Sequence, residues 1–315
     1  MAATRTGYFT HPDCRRHDMG RGHPECPERL DAIEDRLIAS GLGDALERRE
    51  APLASVDAVQ RAHTESHVAT LHELAREVAD DPDGLRYIDP DTAMNPYSLS
   101  AALRAAGAAV AATDAVIGGE LSNAFCAVRP PGHHACRARA MGFCMINSVA
   151  VAALHALDHH GLKRVAVVDF DVHHGNGTED ILAGDERVLM VGLFQHPFYP
   201  YTGTQPLAGN MVNIPVPAYT KGEPIRQAIV QSWLPRLEAF RPEMIFISAG
   251  FDAHREDDLG QLGLVEADYV WMTERIKEVA DKYAKGRIVS SLEGGYNLSA
   301  LGRSVEAHVR ALADL

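Results

Sequence analysis

The stretch Arg164-Val165-Ala166-Val167-Val168-Asp169-Phe170-Asp171-Val172-His173-His174-Gly175-Asn176-Gly177 opens on a β-branched apolar run and closes on carboxylates, imidazoles, an amide and glycines. A short, continuously apolar run of this kind reads as a strand buried on both faces of a parallel sheet, which we place at Arg164–Phe170. The polar groups follow the run directly, so they stand at the strand's carboxyl end. Asp171 and His173 are two positions apart in an extended segment, and side chains at that spacing share a face. A carboxylate and an imidazole so placed can hold one ion.

The same pattern recurs on either side. Ala124–Val128, Val188–Leu193, Met244–Ser248 and Arg287–Leu292 read as further buried strands. Helical patterns separate them. Ser98–Val116 is Ala-rich, with Ser98 as its expected N-cap. Ser148–His160 ends at Gly161, a suitable C-terminal stop. Glu223–Phe240 and Glu266–Lys285 are amphipathic, and Pro235 is expected to kink or shorten the first. Strands alternating with helices predict a parallel sheet covered on both faces. No repeat or linker interrupts the pattern, and Asp80–Gly84 reads as a loop, so residues 1–315 are read as one domain.

Each apolar run but one leads into a polar, glycine-containing segment. After Val128 come Arg129-Pro130-Pro131-Gly132-His133-His134. After Ser248 come Ala249-Gly250-Phe251-Asp252-Ala253-His254, and after Leu292 come Glu293-Gly294-Gly295-Tyr296. Open α/β sheets bind ligands at the carboxyl ends of their strands, so these segments are expected to converge on one site. Asp252 can then join Asp171 and His173. Two carboxylates and one His, with no Cys, suit zinc or iron(II) and leave coordination positions open. His133 and His134 are candidates for proton transfer. Asp169 and Asn176 are candidates to orient them, the neutral amide raising its imidazole's pKa less than a carboxylate would. Tyr296, after two glycines, can donate to an oxyanion. A second pair, His159-His160, is read as compensation for a helix C-terminus.

Composition narrows the classes. The chain has 315 residues, 46% of them hydrophobic and 23% charged, with a net charge of −13. That charge argues against a general nucleic-acid grip and suits a cationic substrate. Cys14, Cys26, Cys126, Cys136 and Cys144 are odd in number and form no CxxC pair. Reduced cysteines in a cytoplasmic protein are therefore expected, rather than disulfides or a thiolate metal site. The first eight residues hold no apolar signal region, and no uninterrupted 18-residue apolar run is present, so no membrane role is expected.

Taken together, Arg129–His134, Gly142-Phe143-Cys144-Met145-Ile146-Asn147, Asp169–Gly177, Ser248–Asp252 and Leu292–Asn297 resemble the histone deacetylase family in order and spacing. His23-Pro24-Glu25-Cys26-Pro27-Glu28-Arg29 matches as well, and the likeness runs from about Gly7 to Leu315. Asn176 and the Phe251-Asp252-Ala253 segment bring the chain nearest to the class II members and their bacterial relatives, the amidohydrolases and acetylpolyamine amidohydrolases. The resemblance implies the arginase/deacetylase fold, a three-layer α/β/α sandwich with a central parallel sheet. It implies one Zn2+ held by Asp171, His173 and Asp252, and removal of acetyl groups from lysine-type amines of peptides, proteins or small molecules. It implies an acid–base pair, His133 backed by Asp169 and His134 backed by Asn176, with Tyr296 polarising the carbonyl. Phe143 and Tyr199 would wall the acyl-lysine tunnel, Gly142 and Gly294 would keep it open, and Asp91 would hold the substrate backbone at the rim.

Departures from the family pattern qualify this expectation. The family's potassium site would use the carbonyls of Asp171 and His173 and the side chain of Asp169, but Gly192 replaces its usual Ser, and Phe194 stands where a His is common. Polyamine-specific members carry an acidic gatekeeper where this chain has Leu259, which weighs towards acyl-lysine substrates. Glu25 and the acids flanking Leu259 keep cationic amines in play. A binuclear manganese site is disfavoured because Asn176 is a poor bridging ligand, and a non-catalytic acyl-lysine module because Tyr296 and the zinc ligands are all present. The loop at Arg16–Arg21 is read as either rim or homo-oligomer contact.

Overall fold

The computed structural model describes residues 4–81 and 84–315; the predicted loop at 80–84 thus lies partly outside the described residues. Among these, the strands are β1 (Thr6–Thr10), β2 (Glu47–Glu50), β3 (Arg86–Asp89), β4 (Thr92–Met94), β5 (Asn123–Cys126), β6 (Val165–Asp169), β7 (Val188–Gln195), β8 (Met211–Val216), β9 (Met244–Ala249) and β10 (Ile288–Leu292). The α-helices are α1 (Asp13–Arg16), α2 (Glu28–Ala39), α3 (Val56–Ala62), α4 (Glu65–Val78), α5 (Ser98–Ile117), α6 (Ser148–Asp158), α7 (Asn176–Leu182), α8 (Gly222–Phe240), α9 (Glu266–Tyr283) and α10 (Leu298–Leu312).

Eight strands form one sheet in the order β2-β1-β5-β10-β9-β6-β7-β8, parallel throughout. Helices α5 and α6 pack on one face, and α2, α8, α9 and α10 on the other. This is the three-layer α/β/α sandwich the sequence led us to expect. The order also explains the convergence of the motifs. Strands β5, β10, β9 and β6 are contiguous, so the segments that follow them emerge side by side. Their cores are Asn123–Cys126, Ile288–Leu292, Met244–Ala249 and Val165–Asp169, all buried. Burial of β-branched chains on both faces stabilises by about 1.5–3 kcal/mol per large side chain, which keeps the strand ends fixed.

Several local expectations are corrected. Ser98 does not cap α5; Tyr97 occupies that position without a side-chain cap. Ser98 is drawn inward instead, its Oγ accepting from the Asn95 amide at 2.8 Å and lying 2.7 Å from His17 Nδ1. Pro235 does not shorten α8, which continues to Phe240. Pro235 and Gln231, whose carbonyl loses its partner, are both exposed, so water can satisfy the freed acceptor. Helix α6 stops at Asp158, and Gly161 turns the chain at φ +72°. Helix α5 is long and apolar enough to cross a membrane by length and mean hydropathy, 1.3, but it is largely buried inside the protein.

Strands β1, β2 and β8 escaped the sequence reading. Strand β2 is Glu47-Arg48-Arg49-Glu50, a charged edge that hydrophobic periodicity does not reveal. Strand β8 contains Pro215, which an edge strand tolerates because one side needs no donor.

Candidate active site

The predicted ligands meet. One ligand atom from each of Asp171, His173 and Asp252 lies within 4.8 Å of the others. His173 Nδ1 is 3.0 Å from Asp171 Oδ1 and 3.2 Å from Asp252 Oδ2. Backbone amides aim the carboxylates. Gly294 N–H donates to Asp171 Oδ2 at 2.9 Å, and Val172 N–H donates to Asp252 Oδ1 at 2.9 Å. The remaining Asp252 oxygen, Oδ2, is buried, and its polar neighbour His173 Nδ1 is not oriented to donate to it. A buried carboxylate oxygen left without a donor is costly, so this cluster suits a cation. Burial pushes Asp252 up, to about 7, with the Asp171 charge adding to it. Burial acts on Asp171 in the same sense, but His133 and His173 outweigh it and hold that carboxyl well below its ordinary value.

Glycine at 294 is required by the cluster itself. A Cβ there would stand 2.0 Å from Asp252 Oδ2 and 2.6 Å from Asp171 Oδ2. This corrects the tunnel role expected of Gly294, which lies beneath the cavity at the carboxylates. Gly142 does border the cavity, at φ +57°, and a Cβ there would meet the His134 ring at 2.6 Å.

His133 and His134 turn towards the same centre, with ring centroids 4.0 Å apart. His133 Nδ1 is 3.0 Å from Asp169 Oδ2, and His134 Nδ1 is 2.7 Å from Asn176 Oδ1. Asn176 Nδ2 donates towards Cys136 Sγ and Met141 Sδ, each at 3.4 Å, which keeps its oxygen facing the imidazole. His134 Nδ1 therefore carries the proton, and Nε2 is the free base. The two rings are driven apart electrostatically. Burial lowers His133, but Asp171 and Asp169 override it and hold the imidazole well above its usual range. Burial and the neighbouring imidazoles of His133 and His173 push His134 well below.

Above the cluster lies a cavity of about 230 Å³ lined by residues that include Gly142, Phe143, Phe198, Tyr199, Leu259 and Tyr296, with Asp91 at its rim. Phe143 faces Tyr296 edge-on at 6.0 Å, and Tyr199 meets His134 edge-on at 5.2 Å. Thr92 Oγ1 accepts from the Phe143 amide at 2.9 Å and donates to Asp91 Oδ1 at 3.1 Å. The β3–β4 hairpin thereby ties the rim to the wall. Burial and the adjacent Asp89 raise Asp91 to about 6.

The sequence reading missed three participants. Phe198 stacks on His173, centroids 5.3 Å apart and 18° from parallel; its place beside Tyr199 in an aromatic pair was the available signal. Glu293 Oε2 accepts from the amides of Gly132 and His133 at 2.6 and 3.0 Å, clamping the His133-His134 turn to the Tyr296 loop. Arg29 donates to the Gly295 carbonyl at 2.7 Å, and its guanidinium lies 4.9 Å from the Tyr296 ring centroid. Two acids move the other way. Glu25 is fully buried between Arg129, Arg29 and His17. Asp257 is buried and accepts from the amides of Tyr296 and Asn297 at 2.6 and 2.9 Å. Neither is available at the mouth, but Asp258, the other acid flanking Leu259, is exposed beside it and Asp91 lines the rim, so the acidic surroundings that the sequence reading allowed for a cationic amine persist in part.

Comparison with known proteins agrees with this geometry. The histone deacetylase domain profile matches residues 23–312. A histone deacetylase-like amidohydrolase from Pseudomonas aeruginosa is 38% identical over 88% of this chain and 73% of its own length. A probable deacetylase from Archaeoglobus fulgidus is 37% identical over 93% and 82%. Type-2 histone deacetylase 2 from Dictyostelium discoideum is 44% identical over 71% of this chain, but the match spans only 14% of that longer protein. The crystal structure of the HDA15 HD domain superposes with a TM-score of 0.92 at 34% identity, covering 99% of this chain and 90% of that one. The buried Asp171–His173–Asp252 cluster thus lies in a chain that belongs to the histone deacetylase family.

Proposed function

We propose that this chain is a zinc-dependent amide hydrolase that removes acetyl or related acyl groups from lysine-type amines. The observation that carries the reading is the buried Asp171–His173–Asp252 cluster, with its partnerless carboxylate oxygen, at the floor of an aromatic-walled cavity. Two carboxylates and one imidazole without thiolate fit zinc. Bound by those three residues, zinc would supply Lewis acidity towards the acyl carbonyl and acidify a water at neutral pH.

The protein's own groups do the rest. Phe143, Phe198 and Tyr199 hold an extended aliphatic chain by apolar contact and exclude water. His134 Nε2, neutral because burial disfavours its charged form, takes the proton of the attacking water. Tyr296 donates to the oxyanion that develops on the acyl oxygen. His134 then returns the proton to the leaving amine nitrogen, so one histidine serves as base and acid. Asp169, accepting from His133 Nδ1, fixes the orientation of that ring beside His134. Asp91 receives the substrate's backbone amide at the rim.

For a potassium ion the fit is poorer. Asp169 keeps a free lone pair on each oxygen beside the bonds it accepts from His133 and the Asp171 amide, but Gly192 brings no hydroxyl. Leu259 at the mouth favours a lysine side chain over a free polyamine. We further read the chain as one catalytic unit of a reducing, cytoplasmic compartment, a reading supported by five unpaired cysteines.

The test is a deacetylation assay comparing an acetyl-lysine peptide with N-acetylputrescine, with Asp171→Ala as blank. Turnover of the peptide is the expected result. Turnover of acetylputrescine alone would transfer the chain to the polyamine class. Activity on neither, with zinc bound, would remove the lysine assignment.

A further inference from the structure

A second group of histidines lies at the other end of the sheet. Helices α5 and α6 both end just before the strands they feed, so their C-termini sit at the strands' amino ends, opposite the catalytic cavity. His155 is in the last turn of α6, His159 follows at i+4, and His160 is next to it. Residues four apart on a helix share a face. Ligand nitrogens of these three imidazoles all lie within 4.8 Å of one another. His155 and His159 stack, with centroids 4.6 Å apart and planes 14° from parallel, and His160 stands edge-on to both.

A carboxylate from the neighbouring helix completes the group. Asp114, in the last turn of α5, places Oδ1 2.7 Å from His155 Nε2 and 2.6 Å from His160 Nε2. His155 is buried, His160 half-buried and His159 exposed, so the cluster opens to solvent on one side. Compensation of a helix end needs one histidine, and three clustered imidazoles, two of them on one carboxylate, exceed that role. Both helix C-termini also direct carbonyl dipoles towards this region, which favours positive charge there.

We propose that His155, His159, His160 and Asp114 form a second divalent transition-metal site, of the class that takes zinc, nickel or copper. Three imidazoles and one carboxylate match those ions and not magnesium or calcium, which prefer all-oxygen shells. The metal would replace the protons that His155 Nε2 and His160 Nε2 share with Asp114 Oδ1, at about 2.0–2.1 Å from each nitrogen, with the half-exposed Asp114 carboxylate moving back to remain a ligand. Two features oppose it: the stacked His155 and His159 rings keep their in-plane lone pairs from converging, so the exposed His159 ring must turn to reach the ion, and a cation lies beside His155. Arg61 Nη1 lies 3.4 Å from His155 Nδ1, and metal on Nε2 puts a hydrogen on Nδ1, so the guanidinium must swing away. The site is consequently weaker than a structural zinc site and reversible.

The experiment is equilibrium dialysis of the purified holoprotein against ZnCl2, with bound zinc counted per chain. The His159→Ala/His160→Ala double variant should lose one equivalent while keeping full deacetylase activity. Asp252→Ala should lose a different equivalent and all activity, so failure here is distinguishable from failure of the catalytic assignment. Arg61→Gln, which removes the competing cation and offers an amide oxygen to Nδ1–H, should tighten the double-variant-sensitive equivalent several-fold. If the double variant binds as much zinc as the parent protein, the proposal is overturned. His159 is exposed and His160 half-buried, so circular dichroism and retained deacetylase activity of the double variant separate loss of the site from loss of folding.

Discussion

The two ends of the sheet each gather histidines around aspartate, and they differ in what the carboxylates do. At the carboxyl end, backbone amides of Gly294 and Val172 aim Asp171 and Asp252, and one Asp252 oxygen is left buried without a donor. At the amino end, Asp114 is half-exposed and already accepts from two imidazoles. A cation entering the first cluster relieves an unsatisfied buried charge. A cation entering the second must displace hydrogen bonds that water and protein already satisfy. Preorganised dissatisfaction, more than residue type, separates the cluster proposed as the catalytic metal centre from the one proposed as a surface chelate.

The sharpest way to break this contrast is Asp252→Ala. Activity should fall to background and one zinc equivalent should disappear, read by turnover and by metal analysis; retained activity would sink the ligand assignment. Gly294→Ala comes next, because its Cβ would stand 2.0 Å from Asp252 Oδ2. Displacing ligands by even 1 Å costs on the order of 10²-fold in rate, and kcat should fall accordingly with the fold intact by circular dichroism. Tyr296→Phe should lower kcat by roughly 10²–10³-fold, as for loss of one oxyanion donor, with zinc content unchanged.

A subtler test uses pH. Burial and neighbouring imidazoles hold His134 below its ordinary pKa, so the free base persists at neutral pH and is lost only as pH falls through the depressed value. Asn176→Asp places a carboxylate on Nδ1 and stabilises the imidazolium. The acid limb of kcat/KM should therefore move to higher pH. An unmoved limb would assign the base to another group. The smallest effect on catalysis is expected at the far end of the sheet, where His159→Ala/His160→Ala should leave kcat/KM within about twofold, as surface substitutions away from an active site usually do.

Legibility in the sequence followed the physics of each element. Buried strands such as Val165–Asp169 announce themselves because both faces are apolar. The edge strand Glu47–Glu50 does not, because its stability comes from pairing with β1. The convergence of Asp171, His173 and Asp252, of both histidines with their partners, and of Tyr296 was readable because each stands at or just after the end of a readable strand. Phe198, Glu293 and Arg29 were not assigned roles, because those depend on which loop lies opposite. Ser98 misled for a related reason: its hydroxyl suits a helix cap, yet Asn95 and His17 claim it. Glu25 and Asp257 looked like mouth acids, since a sequence does not reveal that a carboxylate is sealed behind arginines or backbone amides.

By itself the sequence determined the alternation of strand and helix, the chemistry at the strand ends and the family. Those depend on local periodicity and on residue types at short spacing. Only the tertiary structure decided that β5, β10, β9 and β6 are neighbours, which carboxylate oxygen is left without a donor, and which acids reach the cavity. These depend on contacts between residues tens to more than a hundred positions apart, such as Tyr296 with Asp257 and Gly294 with Asp171. Long-range pairing is set by the packing of the whole sheet, and no local pattern encodes it.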